Sequence, residues 1–243
     1  MSNSEGMSTQ TIKLFRTSDH ACSYLAERQS RTLFLDPDLR FELPLYEELT
    51  QSGFRRSGKH LYRPDCQQCN ACIPARIPVH EFINKRRFKR ISKANSDIRM
   101  EIMPSKVRLE DYQLFERYIE QRHADGDMYP ATLAGYEDFL AVNREFSFHI
   151  RFFVQGQLVA VAVTDRLISG LSAIYTFFEP NLETRSLGVF AILSQIELCK
   201  KWSLPFLYLG YWVPGCQKMQ YKIDYQPTEL LIDGQWQCIR RDT

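Results

Sequence analysis

Residues 148–178, F-H-I-R-F-F-V-Q-G-Q-L-V-A-V-A-V-T-D-R-L-I-S-G-L-S-A-I-Y-T-F-F, decide the fold of this chain. Three segments, residues 148–154, 158–165 and 171–178, are rich in β-branched and aromatic side chains, which favour strands. Gly156 and Gly170, each beside polar residues, mark the turns between the segments. The stretch therefore predicts an antiparallel meander of three strands.

The elements on either side of the meander complete the predicted domain. Residues 109–123 have the apolar spacing of an amphipathic helix, and a shorter helix follows with Tyr136 and Leu140 on its buried side. After the meander, residues 184–202 predict one long buried helix, and residues 206–211 and 228–233 predict further strands. This order of elements resembles the acyltransferase fold of the N-acetyltransferase (GNAT) superfamily.

The turn before the long helix argues against coenzyme A as a partner. Members of that superfamily bind a pyrophosphate at the pattern [RQ]-x-x-G-x-[GA], and here Arg185 and Gly188 keep the first two positions. The third position of the pattern is a small residue that lets the pyrophosphate approach the backbone, and here Phe190 occupies it. We therefore expect a donor other than an acyl-coenzyme A.

The first part of the chain predicts a smaller unit. Residues 43–51 have helical spacing with Pro44 in the first turn, and residues 60–63, 76–79 and 98–103 read as short strands. Pro104 follows the last of these strands. The prediction is an α+β protein with a small N-terminal α/β domain, residues 1–104, followed by a GNAT-like domain, residues 105–243.

Basic charge is concentrated in one sixth of the chain. The net charge is +2 overall, but residues 53–93 carry eleven Lys or Arg and two acids, whereas the remainder carries 20 basic and 27 acidic side chains. This asymmetry favours a polyanion, although a solvated basic surface would have the same composition. Residues 84–94 predict a basic helix, whose candidate RNA contacts are Lys85, Arg86, Arg87, Lys89 and Arg90.

The seven cysteines leave two interpretations open. No run of 18 apolar residues and no signal-like start occurs, so we expect a cytoplasmic protein with reduced thiols and no membrane partner. Cys66, Cys69 and Cys72 have C-x2-C-x2-C spacing and, with Cys22, could hold an iron-sulfur cluster or zinc. The alternative is that all of them are ordinary thiols.

Several separated motifs carry a resemblance that covers nearly the whole chain. They are C-S-Y-L (22–25), S-G-F-R-R-S-G-K-H-L-Y-R-P (52–64), C-x2-C-N-A-C-I-P-x-R (66–76), D-M-Y-P (127–130) and S-A-I-Y-x-F (172–177). Together they resemble the aminoacyl-tRNA-protein transferases, and more narrowly the compact bacterial leucyltransferases that act on N-terminal Asp or Glu. The resemblance implies transfer of leucine from leucyl-tRNA to the α-amine of such proteins, which marks them for N-degron degradation, with no cofactor required.

Two alternatives to this function stay open at this point. The first is an arginyl-tRNA donor, although the related arginyltransferases carry a second cysteine where this chain has Leu25. The second is a non-catalytic RNA-binding module on a degenerate acyltransferase fold. A leucine pocket should be apolar and an arginine pocket acidic, but spacing alone does not locate the pocket.

The chemistry of aminoacyl transfer suggests the site residues. The ester is already activated and a free α-amine has a pKa of about 7.7 to 8.0, so positioning should dominate. Arginines can pair bidentately with the carboxylate of an acceptor, and their competing role is contact with phosphates. The competing role of the tyrosines is packing in the core. The catalytic candidates are Tyr175, Tyr208 and Asp127, with His123 beside the last. The substrate-binding candidates are Arg55, Arg56, Arg63, Arg76 and Tyr211.

Overall fold

The computed structural model describes residues 12–240 of the chain. The strands are β1 (Leu14–Arg16), β2 (His20–Ala21), β3 (Gln29–Ser30), β4 (Thr32–Leu35), β5 (Arg55–Ser57), β6 (His60–Pro64), β7 (Ile73–Pro78), β8 (Arg99–Pro104), β9 (Ser147–Val154), β10 (Gln157–Arg166), β11 (Gly170–Phe178), β12 (Phe206–Trp212), β13 (Thr228–Ile232) and β14 (Gln235–Ile239). The α-helices are α1 (Leu43–Gln51), α2 (Arg86–Ala94), α3 (Leu109–Arg122), α4 (Leu133–Phe139) and α5 (Leu187–Lys201). Two 3₁₀ helices span Pro180–Arg185 and Gln217–Asp224.

The centre of the molecule is an eight-stranded mixed sheet in the order β14-β13-β7-β12-β11-β10-β9-β8. The predicted meander is confirmed, because β10 pairs antiparallel with both β9 and β11. Helix α5 then carries the chain to β12, which pairs parallel with β11. The structure thus confirms the predicted α+β class and the predicted order of elements after residue 105.

The two faces of this sheet are covered by different helices. Ile150 and Ala162 belong to the hydrophobic cluster that contains α5, whereas Phe153 and Val161 belong to the cluster that contains α3 and α4. Successive strand residues point to opposite faces, so β9 and β10 carry apolar residues on both faces. No helix within residues 12–240 is long and apolar enough to cross a membrane.

The N-terminal region forms a separate four-stranded sheet in the order β1-β4-β6-β5. Its core includes Leu33, Tyr46 of α1 and Phe54, and it extends to Tyr208 of β12. Strands β7 and β8 precede residue 105 but lie in the eight-stranded sheet. The sheet therefore continues across position 104, and the division of the chain into two domains there stays a prediction.

The long helix begins later than the sequence predicts. Residues 180–185 form a 3₁₀ helix, and Ser186 has the left-handed φ of 50°, so α5 starts only at Leu187. Pro180 lies in the first turn of the 3₁₀ segment and lacks the amide hydrogen that a continuous helix would use. The predicted span of residues 184–202 was wrong at its beginning, because the left-handed Ser186 separates residues 184 and 185 from the α-helix.

Strands β11 and β12 separate soon after they begin. Residues 170–172 pair with residues 206–208, and no pairing is formed between the two strands beyond these positions, although β11 continues to Phe178 and β12 to Trp212. A β-bulge between Tyr208 and Gly210, where β12 pairs with β7, lies just past the separation. Bulges redirect a strand, and this one opens a fork in the middle of the sheet.

Candidate functional site

A cavity of about 880 Å³ occupies the fork between β11 and β12. Ala173 to Thr176 of β11 form one wall, and Leu209, Gly210 and Tyr211 of β12 form the other. The end of α3, the beginning of α5 and the 3₁₀ helix Gln217–Asp224 complete the lining. The volume lies within the range of about 300 to 1,000 Å³ that is usual for ligand pockets.

The charge of this cavity is one-sided. Among the described residues that line it there is no Asp or Glu, whereas six side chains are basic: Arg55, Arg56, Arg122, His123, Lys218 and Lys222. Seven tyrosines also line it: Tyr24, Tyr62, Tyr118, Tyr175, Tyr211, Tyr221 and Tyr225. Cationic groups attract phosphates and carboxylates, and tyrosine rings offer stacking surfaces for bases.

Arg55 lies inside the fork. Its Nη1 donates to Ser172 Oγ at 2.9 Å, and its Nη2 donates to the carbonyl oxygen of Ala173 at 2.8 Å. Gly210 faces the guanidinium from the opposite strand with a φ of +79°, and a Cβ there would be 3.3 Å from Arg55 Nε. Arg55 is therefore a fixed cation with no carboxylate partner in the lining.

Arg56, the next residue, is used differently. Its Nε and Nη2 form two hydrogen bonds, of 2.6 and 2.8 Å, to the carboxylate of Asp165, and both side chains are fully buried. The phenol of Tyr46 also donates to this carboxylate, at 2.7 Å. Burial lowers the pKa of Arg56, but the charge and hydrogen bonds of Asp165, together with Tyr46, outweigh burial and raise this pKa overall. Arg56 is thus committed to a structural ion pair.

The other two candidate arginines lie outside the cavity lining. Arg76 pairs with Glu229 at 2.6 Å, and its guanidinium lies between the rings of Phe206 and Trp236, 3.6 and 4.2 Å from their centroids. Arg63 is exposed, with its guanidinium 5.2 Å from the ring centroid of Phe54. The cysteine loop between them therefore does not bring them into the fork.

Of the three candidate catalytic residues, Tyr175 alone lines the cavity. His123 and the substrate-binding candidate Tyr211 line it as well. Burial raises the pKa of Tyr175, so its phenol stays protonated at neutral pH. Tyr208 is outside the lining and packs in the N-terminal core, with its hydroxyl 3.3 Å from Ser169 Oγ. Asp127 is exposed and also outside the lining.

Lys222 is a site residue that sequence reasoning missed. It lies in the 3₁₀ helix Gln217–Asp224, is 7% exposed, and donates from Nζ to the carbonyl oxygen of Tyr211 at 2.7 Å. Burial, followed by repulsion from Arg55, lowers the pKa of Lys222 to about 7. A short 3₁₀ helix has no apolar periodicity to signal that one of its lysines is buried.

The turn before α5 is occupied by protein contacts. The guanidinium of Arg185 makes two hydrogen bonds, of 2.8 and 2.9 Å, to the carboxylate of Asp97. A Cβ at Gly188 would lie 3.3 Å from the ring of Phe178, and Phe190 packs on Phe152 with ring centroids 5.7 Å apart. The phenyl ring that replaces the small residue of the coenzyme A pattern is therefore part of the core.

The basic helix α2 is amphipathic, as predicted, and lies next to the cavity. Phe88 and Ile91 are buried, whereas four of the tRNA candidates are exposed and Lys85 is half-buried: the exposed ones are Arg86, Arg87, Lys89 and Arg90. Phe88 stacks on Tyr225, with ring centroids 5.0 Å apart and planes 8° from parallel. Because Tyr225 lines the cavity, one layer of aromatic side chains separates α2 from it.

The four candidate metal ligands are neighbours but do not form a ligand set. The pKa of Cys72 is raised to about 12 by burial and then by Cys66, Cys22 and Cys69. However, no group of three or more His, Cys, Asp or Glu within residues 12–240 has an arrangement that could hold a metal ion. The residues present do not fit an iron-sulfur cluster or zinc, so the ordinary-thiol interpretation is favoured.

A Ser-His-Asp arrangement elsewhere in the fold is structural. His149 lies 3.2 Å through Nε2 from Ser105 Oγ and 3.3 Å through Nδ1 from Asp111 Oδ2. All three residues are at most 1% exposed, and Ser105 donates to the carbonyl oxygen of Leu140. No substrate could reach this hydroxyl, so the group fixes α3 against β9.

Comparisons with known proteins match both halves of the chain to one family. Residues 20–90 match the family described as arginine-tRNA-protein transferase, N terminus, and residues 110–232 match arginine-tRNA-protein transferase, C terminus. The aspartate/glutamate leucyltransferase of Alcanivorax borkumensis is 51% identical over 226 residues, which cover 93% of each chain. That of Pseudomonas fluorescens strain SBW25 is 52% identical over 93% of this chain and 96% of its own length.

Solved structures are less similar. L-PGS from Bacillus licheniformis superposes with a TM-score of 0.42 and 9% identity, covering 59% of this chain and 47% of that one. The family assignment therefore depends on the sequence matches. With two family models and relatives at about 50% identity over 93% of its length, the chain belongs to the arginine-tRNA-protein transferase family, in which these relatives are aspartate/glutamate leucyltransferases.

Proposed function

We propose that this protein transfers leucine from leucyl-tRNA to the α-amine of proteins that begin with Asp or Glu. The observation that carries the proposal is the cavity in the fork, which is cationic, rich in tyrosine and without a carboxylate among its described lining residues. The names of the relatives agree with it. We place the reaction in the cytoplasm, which suits a chain whose seven cysteines are all free thiols.

The lining favours a leucyl donor over an arginyl donor. Seven apolar side chains of the cavity lining could surround an isobutyl group: Met128, Phe139, Ile174, Phe178, Val189, Ile192 and Leu209. A guanidinium in the same place would meet other cations and no lining carboxylate, and an unpaired buried charge is strongly unfavourable. The arginyl alternative is therefore the weaker one.

Arg55 is the arginine best placed to read the acidic side chain of the acceptor. It is the one candidate arginine that lines the cavity without an acidic partner, since Arg56 is paired with Asp165 and both Arg63 and Arg76 lie elsewhere. Its bonds to Ser172 and Ala173 hold the guanidinium in one position. A preorganised cation of this kind distinguishes Asp or Glu from their amides, which carry no charge.

The tRNA would approach from helix α2. The exposed basic side chains of α2 suit the phosphates of the acceptor arm, and the tyrosines of the cavity suit stacking of the 3′-terminal adenosine. Coenzyme A is not the donor in this proposal, because Arg185 is paired with Asp97 and the position of the third small residue is taken by Phe190, which packs on Phe152.

The reaction needs positioning more than strong acid-base power. The acceptor amine attacks the carbonyl carbon of the leucyl ester, an N–C bond forms, and the bond from that carbon to the ribose oxygen breaks. Strands β11 and β12 are not paired with each other beyond residues 172 and 208. Backbone amide groups on these facing edges are candidates for stabilising the oxyanion that forms on the ester carbonyl oxygen.

The proposal is tested by supplying leucyl-tRNA and arginyl-tRNA, each with a radiolabelled amino acid, to the full chain together with reporters that begin with Asp, Glu or Asn. We expect label transfer from leucyl-tRNA to the Asp and Glu reporters only. Transfer from arginyl-tRNA alone would establish the arginyl alternative. Tight tRNA binding without any transfer would establish the RNA-binding module.

A further inference from the structure

We propose that Lys222 takes the proton that the acceptor amine loses when it attacks the ester, and that it returns this proton to the departing ribose oxygen. The inference rests on the proposed function and adds to it a catalytic residue. Lys222 lies at the wall of the cavity, on the 3₁₀ helix that closes the fork beside β12.

The position of the amine is fixed by the fork. Lys222 Nζ donates to the carbonyl oxygen of Tyr211 at 2.7 Å, which places it at β12 beyond the point where β11 separates. The ring of Tyr221 lies alongside, with its centroid 5.9 Å from Nζ. One N–H is used by Tyr211, so in the neutral amine the lone pair and the one remaining hydrogen are free to act on a substrate.

The surroundings favour the neutral form of Lys222. No Asp or Glu within the described part of the chain forms an ion pair with Nζ, and none pairs with Arg55, the cation that lowers the pKa of Lys222. Burial and Arg55 together lower the pKa of Lys222 to about 7, whereas Cys216 and Cys72 raise it by smaller amounts. Cys72 is itself protonated at neutral pH. A base with a pKa near the working pH is the most effective proton acceptor.

The proton balance of the step closes without a co-reactant. As the N–C bond forms, the attacking nitrogen becomes positively charged and gives one proton to the lone pair of Lys222. When the C–O bond to the ribose breaks, the leaving oxygen takes a proton from the Lys222 ammonium. The products are an amide and a ribose hydroxyl, and Lys222 is neutral again.

A purely structural role for Lys222 is the competing explanation, since its bond to Tyr211 O would hold β12 in place. Lys222→Arg separates the two, because arginine keeps a cationic donor but does not lose its proton in the working range. Lys222→Gln keeps a donor without charge. Lys201→Gln is a matched control, since Lys201 is exposed at the end of α5 and outside the cavity.

The experiment measures single-turnover transfer of leucine from leucyl-tRNA to an Asp-initiated peptide between pH 6 and 9. Removal of a general base lowers a rate by about 10²- to 10⁴-fold, which we expect for both Lys222→Arg and Lys222→Gln. Below pH 7 the logarithm of the wild-type rate should rise with a slope approaching two, because two amines must be neutral. In the variants the slope should fall to one.

Chemical rescue is an independent test of the role of Lys222 if one of these variants is poorly folded. Lys222→Ala should regain activity with trimethylamine, a tertiary amine that accepts a proton but cannot form an amide. A wild-type protein that transfers no leucine would refute the proposed function itself. An active wild-type protein, with Lys222→Arg close to it in rate and in pH slope, would show that Lys222 is only structural.

Discussion

Arg55 donates a hydrogen bond of 2.8 Å from Nη2 to the carbonyl oxygen of Ala173, inside the fork where β11 and β12 separate. The carbonyl of Ala173 would otherwise lack the partner that a neighbouring strand provides. A charged side chain therefore replaces a ladder hydrogen bond, and the same bond fixes the cation that we propose for acceptor recognition.

The close approach of Gly210 to Arg55 gives the first prediction. Gly210→Ala should be strained by about 1 to 3 kcal/mol because its φ is +79°, and it should also displace Arg55. Gly156→Ala is the matched control, since Gly156 has a φ of +85° and no atom within 4 Å of a built Cβ. Both variants should lose stability in urea unfolding, but only Gly210→Ala should also lose kcat/KM for an Asp-initiated peptide. Equal activity losses would contradict this.

The second prediction concerns acceptor choice. A charge-assisted bond to a carboxylate is worth about 1.5 to 3 kcal/mol, so Arg55→Gln should lower kcat/KM for an Asp-initiated peptide by about 10- to 150-fold. The rate for the Asn-initiated peptide should change much less. Arg63→Gln, at an exposed arginine outside the cavity, should keep the wild-type preference. If Arg55→Gln also keeps that preference, the acidic side chain is read elsewhere.

The third prediction concerns the buried pair of Arg56 and Asp165. Asp165→Asn would leave a buried guanidinium without its counter-charge, which costs about 3 to 5 kcal/mol in similar sites. The pair of Lys59 and Asp138, 3.6 Å apart, is exposed on both sides, so Asp138→Asn should leave stability unchanged. Urea unfolding of the two variants compares them directly. A small loss for Asp165→Asn would mean that the pair is not structural.

Binding of tRNA through α2 is the fourth prediction. Arg86, Lys89 and Arg90 are exposed and make no ion pair within residues 12–240, whereas Arg87 is paired with Asp224. Changing the three to Gln should weaken tRNA binding and reduce the slope of log K against log salt by up to about 0.9 per lost phosphate contact. Lys106→Gln with Lys201→Gln serves as the control. An unchanged slope in mobility-shift titrations would exclude α2 from the interface.

The fifth prediction uses the pKa of Lys222 as a stability probe. The pKa is about 7 in the folded protein and about 10.4 for an unfolded lysine, so between these values the unfolded chain binds the extra proton. The free energy of unfolding of the wild-type protein, relative to Lys222→Met, should therefore rise from pH 7 to pH 10. Urea unfolding at several pH values measures the difference. A flat or falling difference would show that Lys222 keeps its ordinary pKa.

The sequence by itself determined the elements whose signals are local. Helix α1 was predicted at the bounds that the structure has, and the meander of β9, β10 and β11 was predicted within one residue at each end. Apolar spacing along one segment reports the face that is buried, and it does so without knowledge of the partner. The family also followed from the sequence, because each of its motifs is a short continuous stretch of residues.

Tertiary structure alone decided which candidates share the site. Arg55 and Arg56 are adjacent in sequence, yet one lies in the fork beside Ser172 and the other is paired with Asp165. Those partners are more than 100 residues away, and the pairing of distant strands selects them. Lys222 could not be found from its sequence neighbours, because its pKa depends on burial and on Arg55. Desolvation and charge act through space, so only the packed chain sets them.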